Sequence, residues 1–273
     1  MWFRMKYLQG CHALVTGASS GLGEEFARQI APHAASLILV ARREDRLISL
    51  ASKLQESHPR VEIHTLPLDL SLSDSSDRLL DFLTARNHRL SLLVNNAGLG
   101  DHGDFASGDW LRIQAMLDLN IVALTRLTHS LLQSGRFRGP AAILNVSSVA
   151  SLLPLPGLAV YAATKAYVTS LSEALAMELR PHGITVSALC PGPVPTEFQA
   201  TATRPGGDTG FFDAPSFLTE SPATVVREGL LGLSRARPRV VPGLAMGFAA
   251  ALAVSIPLIL LRAILQTRVS KIP

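Results

Sequence analysis

The stretch His12-Ala-Leu-Val-Thr16-Gly17-Ala-Ser-Ser-Gly21-Leu-Gly23 decides how this chain folds. It is a short apolar run that ends in a glycine-rich turn, with Glu24 and Glu25 in the first turn of the helix expected to follow. Glycines let the backbone turn tightly and approach a pyrophosphate, whose charge meets the unpaired N–H groups at the helix N-terminus. Alone, such a turn is a weak signal; its position after the first strand of a strand–helix–strand unit is the context it requires. Gly17, Ser19, Ser20, Gly21, Leu22 and Gly23 are therefore candidate contacts to a dinucleotide. The second apolar run ends Leu39-Val-Ala-Arg42-Arg43 and lacks the acidic residue that would bind a ribose 2′-hydroxyl. Arginine there favours a 2′-phosphate, so NADP(H) is the expected cofactor, with the preference resting mainly on Arg42.

The same alternation continues along the chain. Apolar runs at 12–16, 36–41, 61–66, 90–94, 141–146, 184–189 and 239–241 read as strands; amphipathic segments near 21–33, 44–56, 73–86, 109–133, 159–180 and 223–234 read as helices. Strand alternating with helix predicts a parallel sheet of about seven strands covered by helices on both faces, an α/β/α sandwich with right-handed crossovers. A chain of 273 residues that is 48% hydrophobic can bury such a core as one domain. That domain is expected over residues 1–241, followed by an extension over 242–273.

Tyr161-Ala-Ala-Thr-Lys165 opens a long helical segment, with Ser148 thirteen residues ahead at the end of an apolar run. Positions i and i+4 share one helix face, so the Tyr161 phenol and the Lys165 ammonium are expected to share one small site. A fixed cation favours the phenolate; bringing the phenol pKa down by about three units would take roughly 4 kcal/mol. Tyr161 would then exchange a proton with a substrate oxygen near neutral pH. Tyr167 lies on another face of the helix and Tyr7 in the lead-in, which leaves Tyr161 as the one tyrosine placed to use this lysine.

Together these residues resemble the short-chain dehydrogenase/reductase family over about residues 8 to 241. Beside the 16–23 turn and the Tyr161/Lys165 pair stand Asn95-Asn96-Ala97-Gly98, Asn120, Ser148 at the family spacing, and Pro191-Gly192 with Thr196. The resemblance implies a doubly wound Rossmann-type sheet and a nicotinamide-dependent oxidoreductase. By position it implies that Tyr161 is the general acid/base, that Ser148 orients the substrate oxygen, and that Lys165 serves both phenol and ribose. It further implies that Asn120 supports a water-linked proton relay and that Asp69, with Leu70, lies at the adenine. Asn95, or Asn96 with Ala97 and Gly98, is implied to line the ribose region, and Pro191, Gly192, Val194 and Thr196 to clamp the nicotinamide. One departure from a common NADP pattern is Ser20, where some relatives carry a basic residue.

Substrate and partners are read from what remains. The loop 151–158 and a lid-like segment containing Phe198, Phe211, Phe212 and Phe217 are apolar with few carboxylate binders, which favours a lipophilic ketone or secondary alcohol. With 25 basic and 21 acidic residues, a net charge of +4 and a pI near 9.4, the imbalance is mild, and nucleic acid is not an expected partner. Cys11 and Cys190 lack metal-ligand spacing and read as buried thiols, with no metal site implied. The short charged start does not resemble a cleavable signal, so the catalytic body is expected in the cytoplasm. Residues 240–261 carry no charge and as one helix would reach about 33 Å, enough to span a bilayer. Pro257 interrupts them and basic residues flank both ends, Arg235, Arg237 and Arg239 before and Arg262, Arg268 and Lys271 after, which favours attachment to a membrane surface over crossing. The alanine-rich helix after Ala159 suits a close contact in a homodimer or homotetramer. The competing reading is a catalytically weak, nucleotide-sensing membrane scaffold, and the intact Ser148, Tyr161 and Lys165 argue against it.

Overall fold

The computed structural model describes residues 7–204 and 215–255, the side chain of Arg138 excepted. Strands β1 (Cys11–Thr16), β2 (Ala34–Ala41), β3 (Glu62–Pro67), β4 (Leu90–Asn95), β5 (Phe137–Val146), β6 (Ile184–Leu189) and β7 (Arg239–Val240) form one sheet in the order β3-β2-β1-β4-β5-β6-β7. Every neighbouring pair is parallel. Helices α1 (Gly21–Ile30), α2 (Glu44–Ser57), α3 (Ser75–Ala85), α4 (Trp110–Leu117), α5 (Leu124–Gln133), α6 (Ala159–Glu178), α7 (Glu197–Ala202), α8 (Pro222–Ser234) and α9 (Leu244–Ser255) connect and follow them. This is the parallel sheet expected from the alternation, in the Rossmann-type order the resemblance implies, and strand order reverses between β1 and β4, the point where such sheets bind ligands at their carboxyl ends.

Alternation along each strand builds the two layers. Ala13 and Val15 of β1 pack with Phe26, Ile30, Leu47 and Val225 on one side, whereas Leu14 packs with Leu79, Leu83, Leu127 and Val186 on the other. Strands buried on both faces need continuous apolar runs, and that is why these segments are legible in sequence. Helix α1 buries Gly23, Phe26, Ala27 and Ile30, the i, i+3, i+4, i+7 stripe of an amphipathic helix. Pro32 has no N–H to continue the ladder, and the chain leaves α1 through a tight 3₁₀ turn at Ala31–His33.

Two elements differ from the sequence reading. The segment expected as one helix over 109–133 is divided, α4 and α5 being separated by a π-helical turn at Asp118–Ala123. No Gly or Pro marks the break; the wider turn carries Asn120 inward, where it is buried. Helix α7 was expected only as part of an apolar lid. Phe198 and Phe217 of that lid are described, while Phe211 and Phe212 lie outside the described residues.

The extension is not a detached unit at its start. Helix α9 buries Met246 and Ala250 against the body, with Met246 over Gly192, and leaves Leu244 and Phe248 exposed at 96% and 75% with Leu252 beside them. Among the described residues no helix is long and apolar enough to cross a membrane. Pro257, Arg262, Arg268 and Lys271 lie outside the described residues.

Candidate active site

A cavity of about 480 Å³ opens where the carboxyl ends of β1, β4, β5 and β6 meet. Of the residues expected at a site, Gly17, Ser19, Ser20, Gly21, Leu22, Arg42, Asp69, Leu70, Asn96, Ala97, Gly98, Ser148, Tyr161, Lys165, Pro191, Gly192, Val194 and Thr196 all line it. Gly23, Asn95 and Asn120 do not, and each is held behind the wall by a bond or contact of its own.

The glycine turn is built by close approach. Gly17 and Gly21 sit at φ +66° and +56°, the left-handed region glycine tolerates. A Cβ at Gly23 would stand 2.0 Å from the Gly17 carbonyl oxygen, so this residue is the floor of the turn and not a contact surface. Asn96 Nδ2 donates to the carbonyls of Thr16 and Gly17 at 3.0 and 3.2 Å, while the Thr16 hydroxyl accepts from the N–H groups of Asn96 and Ala97, each at 3.0 Å. Ser20, the residue before α1, makes no side-chain cap, which leaves the first N–H groups of the helix without a side-chain partner, and Ser20, Gly21 and Leu22 line the cavity. A left-handed glycine turn and an uncapped helix start fit a dinucleotide pyrophosphate.

At the other end, Tyr161 and Lys165 rise from the first turns of α6, both buried. Lys165 Nζ donates to the Val146 carbonyl at 2.9 Å and stands 5.7 Å from the centre of the Tyr161 ring. Ser148 ends the approach from β5; its hydroxyl accepts from the Ala150 N–H at 3.1 Å, and it lines the cavity together with Tyr161. Ser147, one residue earlier, turns away and donates to the Lys165 carbonyl at 2.8 Å, which separates the two serines. Phe198 of α7 lies against Tyr161, ring centres 5.6 Å apart.

The expected lowering of the phenol pKa is not what this environment produces. Burial pushes Tyr161 up to about 12, with the Ser148 hydrogen bond opposing, and Lys165 is not among the causes. Burial likewise pushes Lys165 down to about 8. Both groups lose water, which disfavours the charged form of each, and the ammonium is committed to the Val146 carbonyl. At neutral pH the phenol therefore holds its proton and the lysine its charge.

The remaining expectations resolve into separate structural positions. Asn95 is a sheet-interior residue whose Nδ2 donates to Thr128 and Asn145, and Asn145 in turn donates to Ser172. Asn96, Ala97 and Gly98 line the cavity instead. Asn120 accepts from the Leu99 N–H and donates to the Leu99 carbonyl and to Thr164, fixing the 97–99 loop. Asp69 accepts from Ser71 within its own turn and faces Arg42 at 3.8 Å. Arg43, given no role of its own by the sequence, bonds Ser19 and Ser20 and pairs with Glu197, which also pairs with Arg46. Asp101, buried and held well below the carboxylate range first by the Arg204 hydrogen bond, ties that arginine and Arg112 together at the far end of α7. Adjacency to Arg42 was the only sequence signal for Arg43; the other pairings join residues too far apart in sequence to read.

Residues 11–205 match the short chain dehydrogenase family. Sulfoacetaldehyde reductase 2 of Chromohalobacter salexigens is 39% identical over 74% of this chain and 79% of its own length. A very-long-chain 3-oxoacyl-CoA reductase-like protein of Arabidopsis thaliana is 32% identical over 81% of this chain and 72% of its own. A solved short-chain dehydrogenase from Sphingobium yanoikuyae in complex with NADPH superposes with a TM-score of 0.75 at 32% identity, over 96% of each chain. The chain belongs to the short-chain dehydrogenase/reductase family and is an oxidoreductase of the NAD(P)-dependent type acting on carbonyl and alcohol groups.

Proposed function

We propose that this chain is an NADP(H)-dependent reductase of lipophilic ketones, or of the corresponding secondary alcohols in reverse. The observation that carries the substrate class is the far end of the cavity: beyond Ser148 and Tyr161 its lining is mostly apolar, Leu99, Leu119, Val149, Ala150, Leu155, Leu158 and Phe198, with Gln199 and Thr201 as uncharged polar side chains on α7. Among the described residues the cations on the wall are Arg42 and Arg43, at the glycine-turn end, and Lys165 beside Tyr161, whose buried ammonium is taken by the Val146 carbonyl. A small anionic aldehyde finds no counter-charge where its head would lie, whereas an apolar chain is matched. That distinguishes the expected substrate from the one in the name of the Chromohalobacter relative and brings it nearer the long-chain substrate in the name of the Arabidopsis one.

The nicotinamide, when bound, supplies the hydride. The chain supplies position and a proton. Tyr161 Oη, protonated at neutral pH, donates to the carbonyl oxygen as that oxygen gains charge, and Ser148 holds the same oxygen in line. Lys165, charged below about pH 8, offsets the negative charge left on the phenol. Asn120 acts at one remove, by keeping the 97–99 loop and Thr164 in place. Arg42, exposed and only loosely opposed by Asp69, is free to meet a 2′-phosphate. A charged hydrogen bond contributes about 1.5 to 3 kcal/mol, or roughly ten- to a hundredfold in affinity for NADPH over NADH.

Residues 1–241 then form the catalytic unit, at the cytoplasmic face of a membrane, and the extension provides the attachment. Leu244, Phe248 and Leu252 make one exposed apolar stripe on α9, and Phe217 is exposed as well. The experiment is an NADPH-oxidation screen over ketones of increasing chain length, run on wild type, Tyr161→Phe and Arg42→Ala. Turnover rising with chain length, lost in Tyr161→Phe with cofactor binding kept, supports the reading. Near wild-type turnover in Tyr161→Phe, or equal affinity for NADPH and NADH, overturns it. Flotation with anionic liposomes tests the extension: a Leu244→Ser/Phe248→Ser/Leu252→Ser chain that still floats refutes the role of α9.

A further inference from the structure

The nucleotide end of the cavity already contains an anion of the chain's own. Arg43 spreads its guanidinium across two elements: Nε and Nη2 lie 3.2 and 3.1 Å from the Ser19 hydroxyl, Nη2 lies 2.7 Å from that of Ser20, and Nη1 lies 3.1 Å from Glu197 Oε2. Arg46 adds Nη1 at 2.7 and 2.8 Å from the two carboxylate oxygens. Ser19, Ser20, Arg42, Arg43 and Glu197 all line the one cavity. Glu197 is also the first residue of α7, whose next residue, Phe198, lies on the Tyr161 ring and whose Thr201 faces the substrate end.

We infer that Glu197 is a specificity-determining residue: its carboxylate occupies the guanidinium of Arg43, so that a 2′-phosphate met by Arg42 competes with Glu197 for Arg43 beside it, and the exchange releases the first turn of α7. This rests on the NADP(H) reading above. A cofactor without the phosphate has nothing to offer the two arginines and leaves Glu197 in place. The loosening starts at the first turn because the chain beyond α7 is anchored: Arg204 bonds buried Asp101 at 2.6 Å, and Arg112 bonds the Thr201 carbonyl. The sequence of charges thus links the identity of the nucleotide to the residue that covers the reacting tyrosine. The pairs are half-exposed, and exposed ion pairs contribute modestly, which sets the scale of the effect at about three- to fivefold.

The test uses the full chain with 2′,5′-ADP and 5′-ADP as probes, by titration calorimetry, in wild type and Glu197→Gln. The expected result is 2′,5′-ADP binding about three- to fivefold tighter in Glu197→Gln, with 5′-ADP unchanged. Amide exchange gives the second readout: in wild type 2′,5′-ADP, and not 5′-ADP, speeds exchange over 197–202, and in Glu197→Gln that segment exchanges fast with either. Equal or weaker 2′,5′-ADP binding in Glu197→Gln overturns the inference, since Glu197 would then be organising the arginines rather than competing for them. Wild-type exchange over 197–202 that is the same with either probe overturns it as well. Wild type binding both probes equally would instead overturn the NADP(H) reading and this inference with it.

Discussion

Replacing Gly23 by alanine tests whether the glycine turn is set by close approach or merely by sequence habit. The added methyl would stand 2.0 Å from the Gly17 carbonyl oxygen and 2.5 Å from Asn96 Nδ2, and a backbone carbonyl in a tight turn cannot retreat by the ångström or more required. Overpacking of this kind costs about 1 to 3 kcal/mol. Moving the Gly17 carbonyl also removes the two hydrogen bonds Asn96 Nδ2 makes to Thr16 and Gly17, about 1 kcal/mol each. The total is about 3 to 5 kcal/mol, which for a domain this large lowers Tm by on the order of 10 °C. Gly135→Ala is the control: it too has a positive φ, +64°, but nothing lies within 4 Å of its added methyl, so only the left-handed strain of about 1 kcal/mol applies. Differential scanning calorimetry of both variants, with NADPH titration of each, decides the matter. A Gly23→Ala chain melting within about 2 °C of wild type and binding NADPH normally would refute the reasoning.

Lys165 carries a proton in the unfolded chain up to its ordinary 10.5 but releases it near 8 when folded, so stability should rise with pH between those values; Lys165→Met should flatten that slope in urea melts. Tyr161 does the opposite at higher pH: folded at about 12 against an ordinary 10, it contributes stability below pH 10 that is lost as pH climbs toward 12, and Tyr161→Phe should abolish that loss. His88, pushed down from 6.5 first by burial and then by His64, takes up a proton less readily in the fold than in the unfolded chain, so stability should fall as pH drops below 6.5; a His88→Gln chain with an unchanged acid limb would contradict this. Asp101→Asn strands Arg204 and Arg112 and should cost about 3 kcal/mol while speeding amide exchange through α7; unchanged melting would show that the cluster does not hold the helix.

Local chemistry makes much of this protein legible in its sequence. Leu37–Ala41 of β2 is strand because a parallel sheet buried on both faces needs an uninterrupted apolar run, and that property belongs to the segment itself. The turn at Gly17–Gly23 and the i,i+4 spacing of Tyr161 and Lys165 are local in the same way, since each is fixed by backbone geometry within a few residues. Sequence therefore determined the order of elements, the place of the glycine turn and the set of side chains that meet at the carboxyl ends of the strands.

What only the tertiary structure decided is everything that depends on long-range neighbours. Whether Tyr161 is acidic turns on how much water Phe198 and the surrounding apolar wall exclude; burial outweighed the opposing Ser148 hydroxyl, and the phenol moved up where spacing suggested down. Asn95 and Asn96 are adjacent in the chain, yet one faces the sheet interior and the other the cavity, because successive residues leaving a strand point to opposite sides and only the packing says which side is which. The inward swing of Asn120 at an unmarked π turn, and the meeting of Arg43 with Glu197 from 154 residues away, have no local signature. Pairwise charge and burial are properties of the assembled fold, so a single sequence lists the participants in this site without fixing their partners or their protons.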